Sequence, residues 1–167
     1  MAQYYTHITG EQMQLIKSSP LFFVGTSAQN SPEVLEGLGA INISPKGSDI
    51  LHILDQNHVA YLDYAGSGNE TARHLNSGSP ITIMICSFEE DNAAIVRLYG
   101  TAKTESLEQS SLAKELLEHA SKELKLSPRQ VINMTIEKTT TSCGYGVPVM
   151  NFIRDRRVSD RGRLYKK

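Results

Sequence analysis

Short hydrophobic runs separated by turn residues follow one another along most of the chain. They cover residues 21–28 (LFFVGTSA), 39–44, 50–54, 58–64, 81–88 and 94–104, and a last stretch, 131–139, alternates between apolar and polar positions. Runs of this length that are rich in aromatic and β-branched side chains predict β-strands, and their short connections favour antiparallel pairing. The pattern therefore predicts a mainly β fold, a barrel of six or seven short strands with few helices.

Two helices are predicted away from the centre of the chain. Thr9 can cap a short helix that runs to Lys17 and covers one end of the sheet. Ser106 and Gln109 fit a capping box ahead of a longer amphipathic helix, whose apolar positions recur on one face as far as Leu124. Both helices therefore have a sequence signal at the start.

The segment from Tyr61 to Pro80 (YLDYAGSGNETARHLNSGSP) is the strongest candidate for a binding site. A strand leads into a glycine-rich turn, and a helix is predicted over residues 68–76. Ser67 and Glu70 stand three positions apart and fit a capping box. The first turn of such a helix presents unpaired amide hydrogens, which can hold a phosphate or a carboxylate. The alternative is a well-capped connector between two strands.

Length, charge and cysteine content narrow the class of protein. With 167 residues, 40% of them hydrophobic, the chain predicts a single domain over residues 1–167 that ends in a basic tail, 154–167. A formal net charge of −1 provides no general field for nucleic acid or membranes. Because a signal-peptide pattern and long apolar runs are missing, we expect a cytoplasmic protein. Cys86 and Cys143 are too few for a disulfide framework and lack metal-ligand spacing.

Four motifs stand in order along the chain: NISPKG (42–47), YLDYAGSGNET (61–71), IVRLYG (95–100) and SCGYGVP (142–148). Together they resemble the pyridoxamine 5'-phosphate oxidase-related proteins, and most closely a little-characterised branch with SPKG, GSGNET and SCGYGVP. The resemblance implies the FMN-binding split barrel, a six-stranded antiparallel barrel. It also implies a homodimer with two FMN sites at the subunit interface, and flavin-dependent oxidation or reduction of a small molecule.

The chain departs from the true oxidases in two respects. Where those enzymes carry an Arg-Lys pair for the phosphate after the fourth strand, this chain has Glu70 and Thr71. It also contains no tryptophan, whereas the oxidases end in a tryptophan-containing segment that helps to hold flavin and substrate. These departures argue against pyridoxamine-phosphate oxidation more than against FMN binding.

Arg97 and Lys46 are the cationic candidates for the cofactor phosphate, which needs cations and donors that converge. Arg97 lies inside an apolar strand, where a charge must face solvent or find an anion, and alternation places it on one face with Ile95 and Tyr99. Lys46 lies in a Pro-Lys-Gly turn, where it is either a solvated loop lysine or, as the resemblance implies, a ligand of the phosphate or flavin. We expect Arg97 to contribute more, because a lysine in an exposed turn acts as a screened point charge.

Neutral polar groups near the glycine turn complete the predicted phosphate and ribityl site. Ser67, Asn69 and Thr71 are donors at the start of the predicted helix. Glu70 is awkward for a phosphate at the same place because like charges repel, so capping is its expected role. Asp63 could accept a hydrogen bond from a ribityl hydroxyl or simply begin the turn.

The flavin ring is expected beside two other segments. By resemblance, the backbone from Asn42 to Ser44 runs beside the isoalloxazine ring. Cys143 and Tyr145, on the SCGYG turn, could line a flavin edge or a substrate pocket, although a free cysteine in a turn is more often inert. The sequence names no catalytic acid or base.

Three hypotheses for function stay open at this point. The leading one is an FMN-dependent oxidoreductase that acts on a small molecule. The second is a non-catalytic module that carries, stores or senses FMN, which the missing tryptophan and Arg-Lys pair favour. The third is a split barrel that binds another ligand, such as haem or a deazaflavin, although no histidine-rich tail favours haem.

Overall fold

Strands are the main regular elements of the computed structural model, which describes residues 2–28, 40–47, 50–66, 68–120 and 127–156. The strands are β1 (Gln3–Tyr5), β2 (Leu21–Ser27), β3 (Ile41–Gly47), β4 (His52–Ile53), β5 (His58–Tyr64), β6 (Ile81–Cys86), β7 (Ala94–Ser106) and β8 (Pro128–Cys143). The helices are α1 (Gly10–Ser18), α2 (Glu70–Asn76) and α3 (Ala113–His119). The predicted mainly β fold is therefore confirmed.

The strands of the described chain form one antiparallel sheet. Their order is β3-β2-β6-β7-β8-β5-β4, and β1 pairs with the end of β8. The sheet has eight strands where six were expected, because β1 and β4 are short pieces of three and two residues at its margins. The predicted run 50–54 thus shrinks to β4, whereas the predicted strand 131–139 grows to the sixteen residues of β8.

The β7–β8 pair is the long backbone of the sheet. One edge of β8 pairs with β7, and its other edge pairs first with β5 and then with β1. The β7–β8 register shifts between Tyr99 and Gly100. A Cβ at Gly100 would collide with the carbonyl oxygen of Thr135, so only glycine fits this bulge. Bulges bend strands, and this one lies between the part of β8 that pairs with β5 and the part that pairs with β1.

The apolar core lies between the inward faces of the strands. Val24, Ile83 and Leu98, from three neighbouring strands, are completely buried, and α1 adds Leu15 and Ile16 to the same cluster. Burial of each such side chain stabilises the fold by about 2 kcal/mol. Within the described residues, no helix has the length and apolarity needed to cross a membrane.

The first two helices show where capping patterns succeed and fail. Thr9 Oγ1 accepts a hydrogen bond from the Gln12 backbone N–H at 3.3 Å, and the Gln12 side chain accepts from the Thr9 N–H at 3.1 Å, which confirms the cap of α1. By contrast, α2 begins at Glu70 with Asn69 as N-cap residue. The predicted capping box between Ser67 and Glu70 is therefore wrong, since Glu70 is the first helical residue and not the third. Ser67 itself lies outside the described residues.

The third helix begins later than its capping pattern predicts. Ser106 Oγ accepts from the Gln109 backbone N–H at 3.3 Å, but in a turn that precedes α3, which starts at Ala113. A Ser-x-x-Gln pattern stabilises such a turn as readily as a helix start. The predicted extension to Leu124 falls on 121–126, outside the described residues.

The two ends of the sheet approach each other without a backbone ladder. β3 lies at one end of the strand order and β5 lies next to the other end. Side chains bridge them, since Lys46 Nζ of β3 lies 2.9 Å from Asp63 Oδ1 of β5. We call the gap between β3 and β5, together with the turn that joins β5 to α2, the seam. The expectation that Lys46 lies in an exposed turn is wrong. Lys46 lies in β3 and bridges the seam.

Candidate functional site

The seam contains a polar pocket of about 330 Å3. Six of the ten residues that the sequence predicts for the cofactor line it: Asn42, Ser44, Lys46, Asp63, Asn69 and Thr71. Arg129 of β8 and Glu70 of α2 also line this pocket. Residues that are far apart in sequence thus meet at one cavity, because β3, β5, β8 and α2 all end or begin at the seam.

Asp63 is the centre of a buried charge cluster. Its Oδ1 accepts from Lys46 Nζ at 2.9 Å, and its Oδ2 accepts from Arg129 Nη2 at 2.6 Å, from Arg129 Nε at 3.2 Å and from Gln130 Nε2 at 2.7 Å. Its side chain is only 6% exposed, against 23% for Lys46 and 28% for Arg129. With four donors on its two oxygens, this carboxylate has little capacity left to accept a hydrogen bond from a ligand.

The neighbours of Asp63 keep it ionised. Burial by itself raises the pKa of this carboxyl, because it penalises the charged form. The hydrogen bond from Arg129, the charge and hydrogen bond of Lys46, and the hydrogen bond from Gln130 outweigh burial and hold the pKa below its ordinary value. The two cations and one anion therefore leave the cluster with a net positive charge.

Arg129 is a residue of the site that the sequence pattern did not predict. Gln130 pairs in register with Asp63, and Pro128 pairs with Tyr64, so Arg129 between them is a bulged residue. Bulges redirect side chains, and Nη1 and Nη2 of Arg129 each donate to the Gly68 carbonyl oxygen at 3.3 Å. The predicted strand began at residue 131. The three residues before it, Pro128 to Gln130, are polar or turn-forming, so the apolar pattern did not show that β8 begins there.

A second hydrogen-bond chain fixes the other wall of the pocket. Asn42 Nδ2 donates to Thr71 Oγ1 at 3.1 Å and to Thr26 Oγ1 at 3.4 Å. Behind it, Thr26 Oγ1 lies 3.0 Å from Nδ1 of His74, which is completely buried. These contacts join β2, β3 and α2 and set the position of Asn42 and Thr71 before any ligand arrives.

The pocket offers a ligand more donors than acceptors. Lys46 uses one of its three N–H groups on Asp63, and Asn69 Oδ1 already accepts from Gln130 Nε2 at 2.9 Å, which leaves its NH2 group. Ser44 and Thr71, which both carry hydroxyl groups, line the same cavity. Such a set suits an anion with several acceptor oxygens, such as a phosphate.

The start of α2 carries a negative charge of its own. The helix has only seven residues and begins with Glu70, whose carboxylate lies 3.3 Å from the Arg73 guanidinium. A negative charge there disfavours a second anion. Capture of a phosphate by helix amides therefore stays a prediction, and the side chains that line the pocket are the other donors available to an anion.

Arg97 lies on the other side of the sheet from this pocket. Cross-strand pairing leads from Lys46 through Phe22 and Ile85 to Val96, so these four residues share the inward face. Arg97, the next residue along β7, faces outward and does not line the pocket. The structure does not bring the two predicted cations together within the chain.

Two other predicted residues also lie outside the pocket. Cys143 ends β8 and is exposed, and Tyr145, in the turn that follows, is 87% exposed. Nearby, Ser142 Oγ accepts a hydrogen bond from Arg97 Nη1 at 3.1 Å. Ser67 is outside the described residues, so its predicted role stays a prediction. In the described ranges, no three His, Cys, Asp or Glu side chains converge as metal ligands would.

Comparison with known sequences places the chain in a family. Residues 8–143 match the family profile described as pyridoxamine 5'-phosphate oxidase. The chain belongs to this family. A relative, the pyridoxamine 5'-phosphate oxidase family protein ustO of Aspergillus flavus, is 31% identical over 157 residues. The match covers 93% of this chain and 59% of that protein, so the chain spans little more than half the length of this relative.

Solved structures share the fold of this family member. HupZ from Group A Streptococcus superposes with a TM-score of 0.58 at 21% identity, over 79% of this chain and 91% of HupZ. An FMN-binding protein from Syntrophomonas wolfei gives a TM-score of 0.53 at 11% identity, over 76% of this chain and 85% of that one. At these identities the likeness shows the fold alone, and it agrees with the antiparallel split barrel.

Proposed function

We propose that the protein binds FMN in the seam pocket and uses it to oxidise or reduce a small molecule. The observation that supports this most is the pocket itself, in which a net positive cluster and several free donors face one cavity in a chain of the pyridoxamine 5'-phosphate oxidase family. A phosphate monoester carries a charge of about −1.5 to −2 and three acceptor oxygens. The donor set fits that group, and so does the net positive cluster of Lys46, Arg129 and Asp63, while Glu70, which also lines the pocket, is paired with Arg73.

The residues of the pocket have separate tasks in this proposal. Lys46 binds the phosphate with two N–H groups that Asp63 does not use, and Ser44 and Thr71 add hydroxyl donors. Asn42 is held in place by its bonds to β2 and α2. When bound, the flavin supplies the hydride or electron transfer, and the protein binds and orients it.

We further propose that the working unit is a homodimer with FMN at the interface. The pocket, at about 330 Å3, is at the small end of the range of about 300–1000 Å3 for ligand sites, so a second wall would complete it. On β3, Ile41 and Ile43 alternate with pocket residues and are 73% and 71% exposed. A second copy that covers this apolar face would lie beside the mouth of the pocket. We also propose a cytoplasmic location, which rests on the sequence alone.

A second candidate is a protein that binds FMN without turnover. Asp63, the most buried carboxylate of the pocket, is saturated by four donors, and its pKa is held low. It is therefore a poor proton acceptor at neutral pH. This observation favours a carrier or sensor of FMN as the alternative to an enzyme.

Two measurements on the purified protein test these functions. The absorbance spectrum, with and without added FMN, shows whether flavin binds, and protein-induced changes in its bands are expected. Stopped-flow mixing of the FMN complex with NADH or NADPH then separates the candidates. Bleaching of the flavin band within seconds supports an oxidoreductase, whereas an unreduced but bound flavin supports the carrier.

A further inference from the structure

We infer that Arg129 makes the pocket selective for a phosphorylated flavin over an unphosphorylated one, and that it acts through Asp63 and not by touching the phosphate. Arg129 is thus a positioning residue for Lys46. This inference rests on the proposed function, because it concerns the same ligand in the same pocket.

The hydrogen bonds of Arg129 leave it little capacity for a ligand. Of its five N–H groups, Nε–H is used on Asp63, those of Nη2 are used on Asp63 and Gly68, and one of Nη1 is used on Gly68. Lys46, in contrast, spends one of three N–H groups on Asp63. The direct contact to an incoming phosphate therefore belongs to Lys46.

The charge of the cluster depends on Arg129. With Arg129 present, the cluster of two cations and one buried carboxylate is net positive, and Glu70, which also lines the pocket, is paired with Arg73. Without Arg129, Lys46 and Asp63 cancel each other, and Lys46 is the one cation left to neutralise a carboxylate that is 6% exposed. Asp63 then competes directly with the phosphate for Lys46.

Charge-changing variants test this inference through the ratio of riboflavin to FMN dissociation constants, measured by flavin fluorescence. Arg129→Gln should lower this selectivity ratio roughly tenfold, the effect of one unit charge across a partly screened pocket. Arg129→Lys, which keeps the charge, should stay within about threefold of the unmodified protein. The double variant Asp63→Asn/Arg129→Gln restores the net positive charge and should return the ratio to near its original value.

Recovery of the selectivity ratio in the double variant would show that Arg129 acts through charge and not only by supporting the fold. If Arg129 only supported the fold, a second substitution in the same cluster would lower affinity further. A ratio that is unchanged in Arg129→Gln, or that stays low in the double variant, overturns the inference. Lys138→Gln is the control, because it removes a cation from β8 far along the strand from the pocket and should leave the ratio unchanged.

A loss of folding must be distinguished from a loss of selectivity. Circular dichroism and thermal unfolding check that each variant is folded. If Arg129→Gln does not fold, Asp63→Asn alone raises the charge of the cluster and should raise the ratio about tenfold, and a ratio that does not rise overturns the inference. If the unmodified protein binds neither flavin, the proposed function is overturned and this inference fails with it. If it binds both equally, flavin binding stands, and the inference fails together with the assignment of the phosphate to Lys46.

Discussion

At the scale of single residues, the three-dimensional setting reverses the expected order of the two cations. Arg97 is conspicuous in the sequence because an apolar strand surrounds it, yet it faces outward and bonds to Ser142. Lys46 looks like a loop lysine, yet it lies in β3 with 23% of its side chain exposed and bridges to Asp63. A half-buried cation that faces a pocket contributes more to anion binding than one on the opposite face of the sheet.

Lys46→Ala is therefore expected to weaken FMN binding more than Arg97→Ala does. Loss of a charge-assisted hydrogen bond should cost about 1.5–3 kcal/mol, or roughly one to two decades in Kd. Arg97→Ala should stay within about threefold of the unmodified protein. Titrations with FMN and with riboflavin, which lacks the phosphate, check both. A larger loss in Arg97→Ala would mean that the phosphate lies on the outer face of the sheet.

Asp63→Asn should destabilise the fold in a pH-dependent way. Removing the anion from a buried cluster should cost about 3 kcal/mol at pH 7. The folded pKa is lowered from 3.8, so the stabilisation is complete above that unfolded value and is lost as the pH falls through the lower folded pKa. Urea unfolding at pH 7, 5 and 3 should show a gap between the two proteins that closes only in acid. A gap that is equally large at pH 3 would contradict this role for Asp63.

At the scale of elements, strand patterns were predictable and the ends of elements were not. Short apolar runs, rich in aromatic and β-branched side chains and bounded by turn residues, located β2 and the β6–β7 pair. Capping boxes failed at α2 and α3, since a serine followed by Glu or Gln also fits a turn. Arg129 could not be predicted, because it enters the pocket from a bulge and a bulge depends on how two distant strands register.

Strand β3 carries the prediction for assembly. Its outward residue Ile43 is 71% exposed, and the proposed dimer covers this face. Ile43→Asp should change monomer stability by only about 0.5 kcal/mol but raise the dimer dissociation constant tenfold or more, roughly the cost of an unpaired charge in an interface. Sedimentation at several concentrations measures this shift. If the unmodified protein is already a monomer at micromolar concentration with FMN present, the interface has to be abandoned.

The β7–β8 bulge gives a prediction for stability. Gly100→Ala places a Cβ against the Thr135 carbonyl oxygen, and both strands have to shift, at a cost of about 3 kcal/mol. Gly10→Ala is the matched control, because a Cβ at Gly10 meets nothing within 4 Å. Chemical unfolding of both variants should show a loss only for Gly100→Ala, and equal stabilities would mean that the bulge is not a constraint.

At the scale of the whole molecule, the fold was predictable and the arrangement of the site only in part. Four short motifs in order pointed to the split barrel, and six predicted residues do meet at the seam. The sequence could not show which residues share a face across several strands. Arg97 and Lys46, for example, lie on opposite faces of the sheet. That information requires the register of β3, β2, β6 and β7 together.

The most direct test of the account is calorimetric titration of cofactor-free protein with FMN, beside a variant whose seam pocket is filled. Ser44→Phe places an aromatic ring in a pocket of about 330 Å3 on a strand that tolerates aromatic residues. We expect the unmodified protein to bind FMN with a Kd of roughly 1 μM or less, worth about 8 kcal/mol, and the variant to bind at least tenfold more weakly. No binding by the unmodified protein, or equal binding by a folded Ser44→Phe variant, would contradict it.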